Sequence, residues 1–111
     1  MRKDTKARDF SKAVKLQIAA RDSIDGHPCC INCGKPAPPE NPLAFSNAHF
    51  IPRSQLGLGV EWNGLTLCPD CHRRYDQTTE REKLRIYFRE YLMDRYPDWD
   101  ESRLFYRKED F

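Results

Sequence analysis

Apolar and polar positions alternate in two rhythms along this chain: a helical one near both ends, and two short apolar runs between them. From about Phe10 to Ala20, apolar residues fall at Phe10, Val14, Leu16, Ile18, Ala19 and Ala20, with Ala13 nearby. This is roughly a helical period, and Asp9 or Ser11 can cap it. Asp22-Ser23-Ile24-Asp25-Gly26 breaks the pattern. Residues 35–42 hold four prolines and no period, which predicts a loop. Leu43 to Ile51 reads as a strand ending at Pro52. Ser54 to Val60, with Gly57 and Gly59, reads as an irregular loop, and Gly64 to Cys68 as a second short strand. A helix is predicted from Pro69 to Tyr75 or beyond, because proline suits a first helical turn and Asp70 favours its positive end. The strongest helix has Thr78 or Thr79 as its cap. Its apolar face is Leu84, Tyr87, Phe88, Tyr91, Leu92 and Tyr96, and Pro97 ends it. Residues 1–8 read as a frayed basic start. Trp99 to Phe111 is aromatic and charged, and the pattern leaves open a short helix packing back or a partner contact.

A chain of 111 residues is read as one domain with a small core, for which a staple is expected. Five cysteines can supply it. No N-terminal apolar segment resembles a signal peptide or a membrane span, so a cytosolic setting is expected, where disulfides are disfavoured. Paired Cys-x-x-Cys turns then read as zinc ligands. Cys30-Ile31-Asn32-Cys33-Gly34 and Cys68-Pro69-Asp70-Cys71 are two such knuckles, each able to aim two sulfurs at one tetrahedral ion. The alternative is four small buried apolar residues. Cys29 also makes a Cys-x-x-x-Cys with Cys33 but is read as a bystander. His27, before Pro28, is read as a structural or exposed turn residue rather than a ligand. A shell of four thiolates has no open position for water or phosphate, so this zinc is expected to clamp the fold.

The net charge of +2 is too small to establish a nucleic-acid partner. Its distribution is more informative. Arg2, Lys3, Lys6, Arg8, Lys12, Lys15 and Arg21 face only Asp4 and Asp9 in the first 21 residues. A basic arm or helix face suits a polyanion, and an ordinary solvated helix face is an equal alternative.

Two stretches carry the chemistry: Asn47-Ala48-His49-Phe50-Ile51-Pro52-Arg53, and Trp62-Asn63-Gly64-Leu65-Thr66-Leu67-Cys68-Pro69-Asp70-Cys71-His72. The order of His49, Asn63 and His72, with the flanking knuckles, resembles the HNH endonucleases over about residues 28–76. The resemblance implies an α+β fold: a small zinc-stapled domain with a ββα-metal (HNH, or His-Me finger) core at 26–77. A basic N-terminal helix or arm would occupy 1–25, and a C-terminal helix with an aromatic tail 78–111. It implies a metal-dependent DNA endonuclease that nicks with low sequence specificity. His49 would be the general base, Asn63 would hold the loop carrying it, and His72 would bind Mg2+ or another divalent cation. Asp76 lies four residues beyond His72, on the same helical face, and would be a second ligand. Arg53, Arg73 and Arg74 are candidates for binding phosphate, with solvated surface arginine as the alternative for each.

There is one departure. Many members of the family place an Asp or His, itself a metal ligand, immediately before the base, and here that residue is Ala48. Asn47 and Glu61 are the fallback ligands. A phage-associated branch of HNH-like proteins also shows a small residue there. The expected partners are DNA and a phage packaging or recombination protein, with no membrane and no decisive signal of oligomeric state. The expected setting is the cytoplasm of a bacterium or phage-infected cell. The competing reading is a zinc-stabilised DNA- or protein-binding module without catalysis. It needs the cysteines and the basic arm but not His49, Asn63 and His72 together.

Overall fold

In a computed structural model of the protein, residues 3–45 and 47–107 are described. Arg2 of the basic arm, Ser46 of the expected first strand and the end of the aromatic tail through Phe111 lie outside the described residues. So do the side chains of Lys3, Asp4 and Thr5. The architecture is a small mixed α/β one, in which helices surround two separate pairs of short antiparallel strands.

Residues expected to be frayed form a short helix, α1 (Lys3–Arg8). Six residues are too few for a stable helix in water. Tertiary contacts hold this one: the Gly59 N–H donates to the Ala7 carbonyl (2.9 Å), and the Arg8 guanidinium to the Arg53 carbonyl (2.8 Å). α2 (Lys12–Arg21) follows, with Ser11 as its cap accepting from the Val14 N–H. The break after α2 is a hairpin of β1 (Ser23–Ile24) and β2 (His27–Pro28). Asp25 and Gly26 both have positive φ, as a two-residue turn with the right-handed strand twist requires. The Asp-Gly dipeptide, read above as a breaker, is the local signal for that hairpin.

The expected strand over 43–51 shortens to β3 (Asn47–His49), because residues 42 and 43 form a turn. It pairs with β4 (Gly64–Thr66), Ala48 opposite Leu65 and His49 opposite Gly64. α3 (Pro69–Gln77) follows β4 directly, so β3, β4 and α3 run in ββα order. Thr78 ends α3 and does not cap the long helix α4 (Arg81–Arg95). Its hydroxyl accepts from the Glu80 N–H (3.1 Å), and Glu80 occupies the cap position.

The core lies between the β3–β4 pair, α3 and α4. Phe50, Leu65, Leu67, Tyr75, Phe88, Leu92 and Leu104 are fully buried there. The tail packs back on this core. Trp99 meets Phe50 edge to face (centroids 5.5 Å), its indole N–H donates to the Trp62 carbonyl (2.8 Å), and Leu104 is buried. A buried polar cluster joins α2 to β4 and α4. Arg21 forms a two-bond pair with Asp22 (2.7 and 2.8 Å). Asp22 also accepts from the Thr66 N–H (3.0 Å) and from the Tyr91 hydroxyl. Among the described residues no helix is long and apolar enough to cross a membrane.

Candidate functional site

The two knuckles converge. Cys30, Cys33, Cys68 and Cys71 place their sulfurs within 4.8 Å of one another. The first turn closes through the Gly34 N–H on the Cys30 carbonyl (2.9 Å), with Gly34 at φ 81°. Cys68 and Cys71 flank the start of α3, where Pro69 sits in the first turn. The Cys33 and Cys68 sulfurs are 3.7 Å apart. Four thiolates about 2.3 Å from a tetrahedral zinc have edges of about 3.8 Å, so the donor set fits that ion. The Asn32 amide donates to the Cys71 sulfur (3.3 Å), as it would to a thiolate. Burial, with the neighbouring Cys68 and Cys30 sulfurs and against the Asn32 amide, pushes the Cys71 thiol up to about 12, so a cation is needed for the charged form to persist at neutral pH. Cys29 stands outside the cluster, buried, with its S–H donating to the His27 carbonyl, and His27 is exposed on β2.

On another face, β3, the loop after it and α3 enclose a cleft of about 680 Å3. Asn47, His49, Arg53, His72, Asp76 and Arg81 contribute to its walls. Alternation along β3 turns Asn47 and His49 toward this side and Ala48, 1% exposed, into the core. The residue before His49 is therefore a packing position, and of the fallback ligands only Asn47 reaches the cleft. Glu61 instead accepts from the Tyr96 hydroxyl.

His49 is held on two sides. Its Nε2 lies 2.7 Å from the Arg8 carbonyl, and its ring stacks on Phe10 (centroids 4.0 Å, 24° between planes). Burial, aided by nearby Arg53, lowers its pKa below the ordinary 6.5, against the opposing pull of the Arg8 carbonyl, Asp9 and Asp76. Asn63 is fully buried beneath the loop that follows His49. Its amide oxygen accepts from the Ile51 N–H (2.8 Å), and its nitrogen donates to the carbonyls of Leu58 (2.8 Å) and Ile51 (3.2 Å).

His72 Nε2 and Asp76 Oδ2 are 2.9 Å apart across one turn of α3. Two adjacent donors about 2.1 Å from an octahedral cation are about 3.0 Å apart, so this pair fits two corners of such a shell. Of the three arginines singled out from the sequence, Arg53 lines the cleft and pairs with Asp9 (2.6 Å). Arg73 turns to Asp70 (2.6 Å), and Arg74 makes two bonds to Glu80 (3.0 and 2.8 Å). Arg81, which sequence reasoning missed, enters instead. It lies over the Tyr75 ring (4.3 Å), donates to the Tyr75 carbonyl (3.0 Å) and sits 3.9 Å from Asp76. The short turn between α3 and α4 brings it there as the first residue of α4.

A ββα run thus carries a histidine on its first strand, a buried asparagine before its second and a histidine on its helix, beside a four-thiolate cluster. Residues 30–78 match the family model of the HNH endonucleases. No curated protein matches the chain. The HNH segment contains both knuckles, His49, Asn63, His72 and Asp76. It supports a nuclease-type function generally and suggests DNA as the substrate. Arg8 and Phe10, which contact His49, Asp9, which pairs with Arg53, and Arg81, which lines the cleft beside Asp76, lie outside the matched segment.

Proposed function

We propose that this protein is a metal-dependent DNA endonuclease that nicks a single strand per event, with His49 as general base. The observation that carries the reading is the meeting of His49, His72 and Asp76 on the walls of one cleft. Hydrolysis of a phosphodiester needs an activated water, relief of charge at phosphorus and a leaving oxygen. The Arg8 carbonyl can only accept, so His49 Nε2 carries the proton and Nδ1 the lone pair. A lowered pKa keeps that ring neutral at physiological pH. Water gives its proton to Nδ1 as its oxygen bonds to phosphorus. The bond to the 3′ oxygen breaks and that oxygen takes a proton from a solvent water, leaving a 5′-phosphate and a 3′-hydroxyl.

Asn63 fixes the loop behind His49, so the base keeps its aim. Arg53 and Arg81, both lining the cleft, offer positive charge to the phosphate. His72 and Asp76 would hold a divalent cation, which when bound would supply Lewis-acid stabilisation of the developing charge. The zinc cluster is structural in this reading. The basic α1–α2 region adds phosphate contacts that carry no sequence information, which fits low specificity. A bacterial or phage-infected cytoplasm, and a packaging or recombination partner, belong to the same reading.

The competing reading is a binding module without catalysis, which Ala48 favours in the sequence because a metal ligand is missing there. With Ala48 facing the core, that residue says little about the cleft. The test is nicking of supercoiled plasmid with Mg2+, Mn2+, Ni2+ or Zn2+ against a chelator control. Metal-dependent nicking that disappears in a folded His49→Ala variant is the expected result. A wild-type protein that cleaves neither plasmid, single-stranded nor branched DNA with any of these metals would sink the endonuclease and favour the binding module.

A further inference from the structure

The base-bearing histidine is positioned by a segment that the HNH match does not include. Residues 7–10 form a strap that packs against His49 and the loop after β3, anchored at four points. The Gly59 N–H donates to the Ala7 carbonyl (2.9 Å), and the Arg8 guanidinium to the Arg53 carbonyl (2.8 Å). Asp9 pairs with Arg53 (2.6 Å), and Phe10 stacks on the His49 ring. The fit is close enough that a Cβ on Gly59 would lie 2.1 Å from the Asp9 carbonyl oxygen. We infer that this strap is a built-in positioning device: the Arg8 carbonyl selects the Nε2–H tautomer of His49, and Phe10 fixes the ring plane, so that Nδ1 is presented as the base.

The chemistry is direct. A neutral imidazole has one N–H and one lone pair, and in water the two tautomers interconvert freely. A carbonyl oxygen 2.7 Å from Nε2 rewards only the form with hydrogen on Nε2. Rotation of the ring about its Cβ–Cγ bond would still exchange which atom faces the carbonyl. A flat aromatic ring stacked at 4.0 Å opposes that rotation. Partners of this kind, one step behind the reacting group, typically change rate by about 10- to 100-fold. Phe10 is thus a positioning residue, and the role of Arg8 belongs to its backbone rather than its guanidinium.

The catalytic sense of this inference rests on the endonuclease reading, so the experiment has one arm that needs no activity. Long-range 1H–15N correlation spectra of the full zinc-loaded chain, at about pH 8 and thus above the ordinary histidine pKa, report the tautomer of each histidine. Wild-type His49 should show the Nε2–H form. Phe10→Ala should shift it toward a mixture, and so should Gly59→Ala, which dislodges the strap without touching the histidine. Phe10→Tyr, which keeps the ring, should retain the wild-type form. In nicking assays, Phe10→Ala and Gly59→Ala should lower kcat about 10-fold or more with KM unchanged, and Phe10→Tyr should restore it. Zinc content and circular dichroism establish that each variant is folded. An Nδ1–H wild type, or variants that keep both tautomer and rate in a protein that nicks, would overturn the inference and leave the endonuclease standing. A wild type that nicks nothing overturns the endonuclease reading itself.

Discussion

At the scale of single residues, Asn63 shows why a side chain beside a cleft can matter more for stability than those on its wall. It is fully buried and meets three backbone groups, on Ile51 and Leu58. Asn63→Ala would leave a buried N–H and two carbonyls without partners, at about 1–3 kcal/mol for the worst of them. We expect urea unfolding to show a loss of about 3 kcal/mol, and a loss under about 1 would mean that water replaces the amide. His49 gives a second expectation, in pH. Burial and Arg53 lower its pKa, while the Arg8 carbonyl, Asp9 and Asp76 oppose them without reversing the direction. The base works only when neutral, so kcat/KM should be level above the ordinary value of about 6.5 and fall as pH drops through a lower midpoint. Stability has the same sign: below about 6.5 the unfolded chain binds the proton more readily, so stability falls with pH until the folded pKa is passed. An acid limb centred above 6.5 would contradict the burial of the base.

At the scale of elements, helical periodicity identified α4 but could not rank its residues. Tyr87 and Phe88 both fall on the apolar face read from the sequence. In the fold, Phe88 is fully buried, edge to face with Tyr75 (5.0 Å), whereas Tyr87 remains 45% exposed, its hydroxyl donating to the Ile31 carbonyl. Phe88→Ala should cost about 3–5 kcal/mol by cavity formation. Tyr87→Ala should cost about 1 kcal/mol, the worth of one exposed hydrogen bond. Equal losses by chemical denaturation would mean that the face is packed otherwise. Features set by neighbouring residues were legible in this way: the Ser11 cap, the proline start of α3, the two knuckles, and the His72–Asp76 pair four residues apart. The β1–β2 hairpin is just as local, signalled by Asp25-Gly26, where the apolar pattern shows only a break. Contacts between distant positions were not legible. The Arg8 carbonyl meets His49 from 41 residues away. Nothing in the composition of residues 1–8 distinguishes a docked helix from a frayed end, because six residues owe their helicity to what they dock on.

At the scale of the whole molecule, the four-cysteine cluster and the cleft are joined by α3. Cys68 and Cys71 flank the first turn of that helix, and His72 is the next residue after Cys71, on its cleft side. The other knuckle is tied to β4 by the Ile31 N–H on the Thr66 carbonyl (3.0 Å). A zinc ion bound by the four sulfurs would therefore fix the start of α3 relative to β4, and with it the distance from His72 to His49 on the paired strand. Without the ion, protonated thiols cannot replace four metal–sulfur bonds, and a core this small has little else to hold the knuckles. The chain should bind one zinc, measured by mass spectrometry under native conditions, and Cys71→Ser should weaken that binding and lower Tm. The stronger test separates two metals by order of addition. After exhaustive chelation, Mg2+ alone should restore neither near-ultraviolet circular dichroism nor nicking. Zinc should restore the dichroism, and zinc followed by Mg2+ should restore both. If Mg2+ alone returned full activity, α3 would keep its place without the clamp, and the cysteines would be packing residues rather than the element that sets the geometry of the cleft.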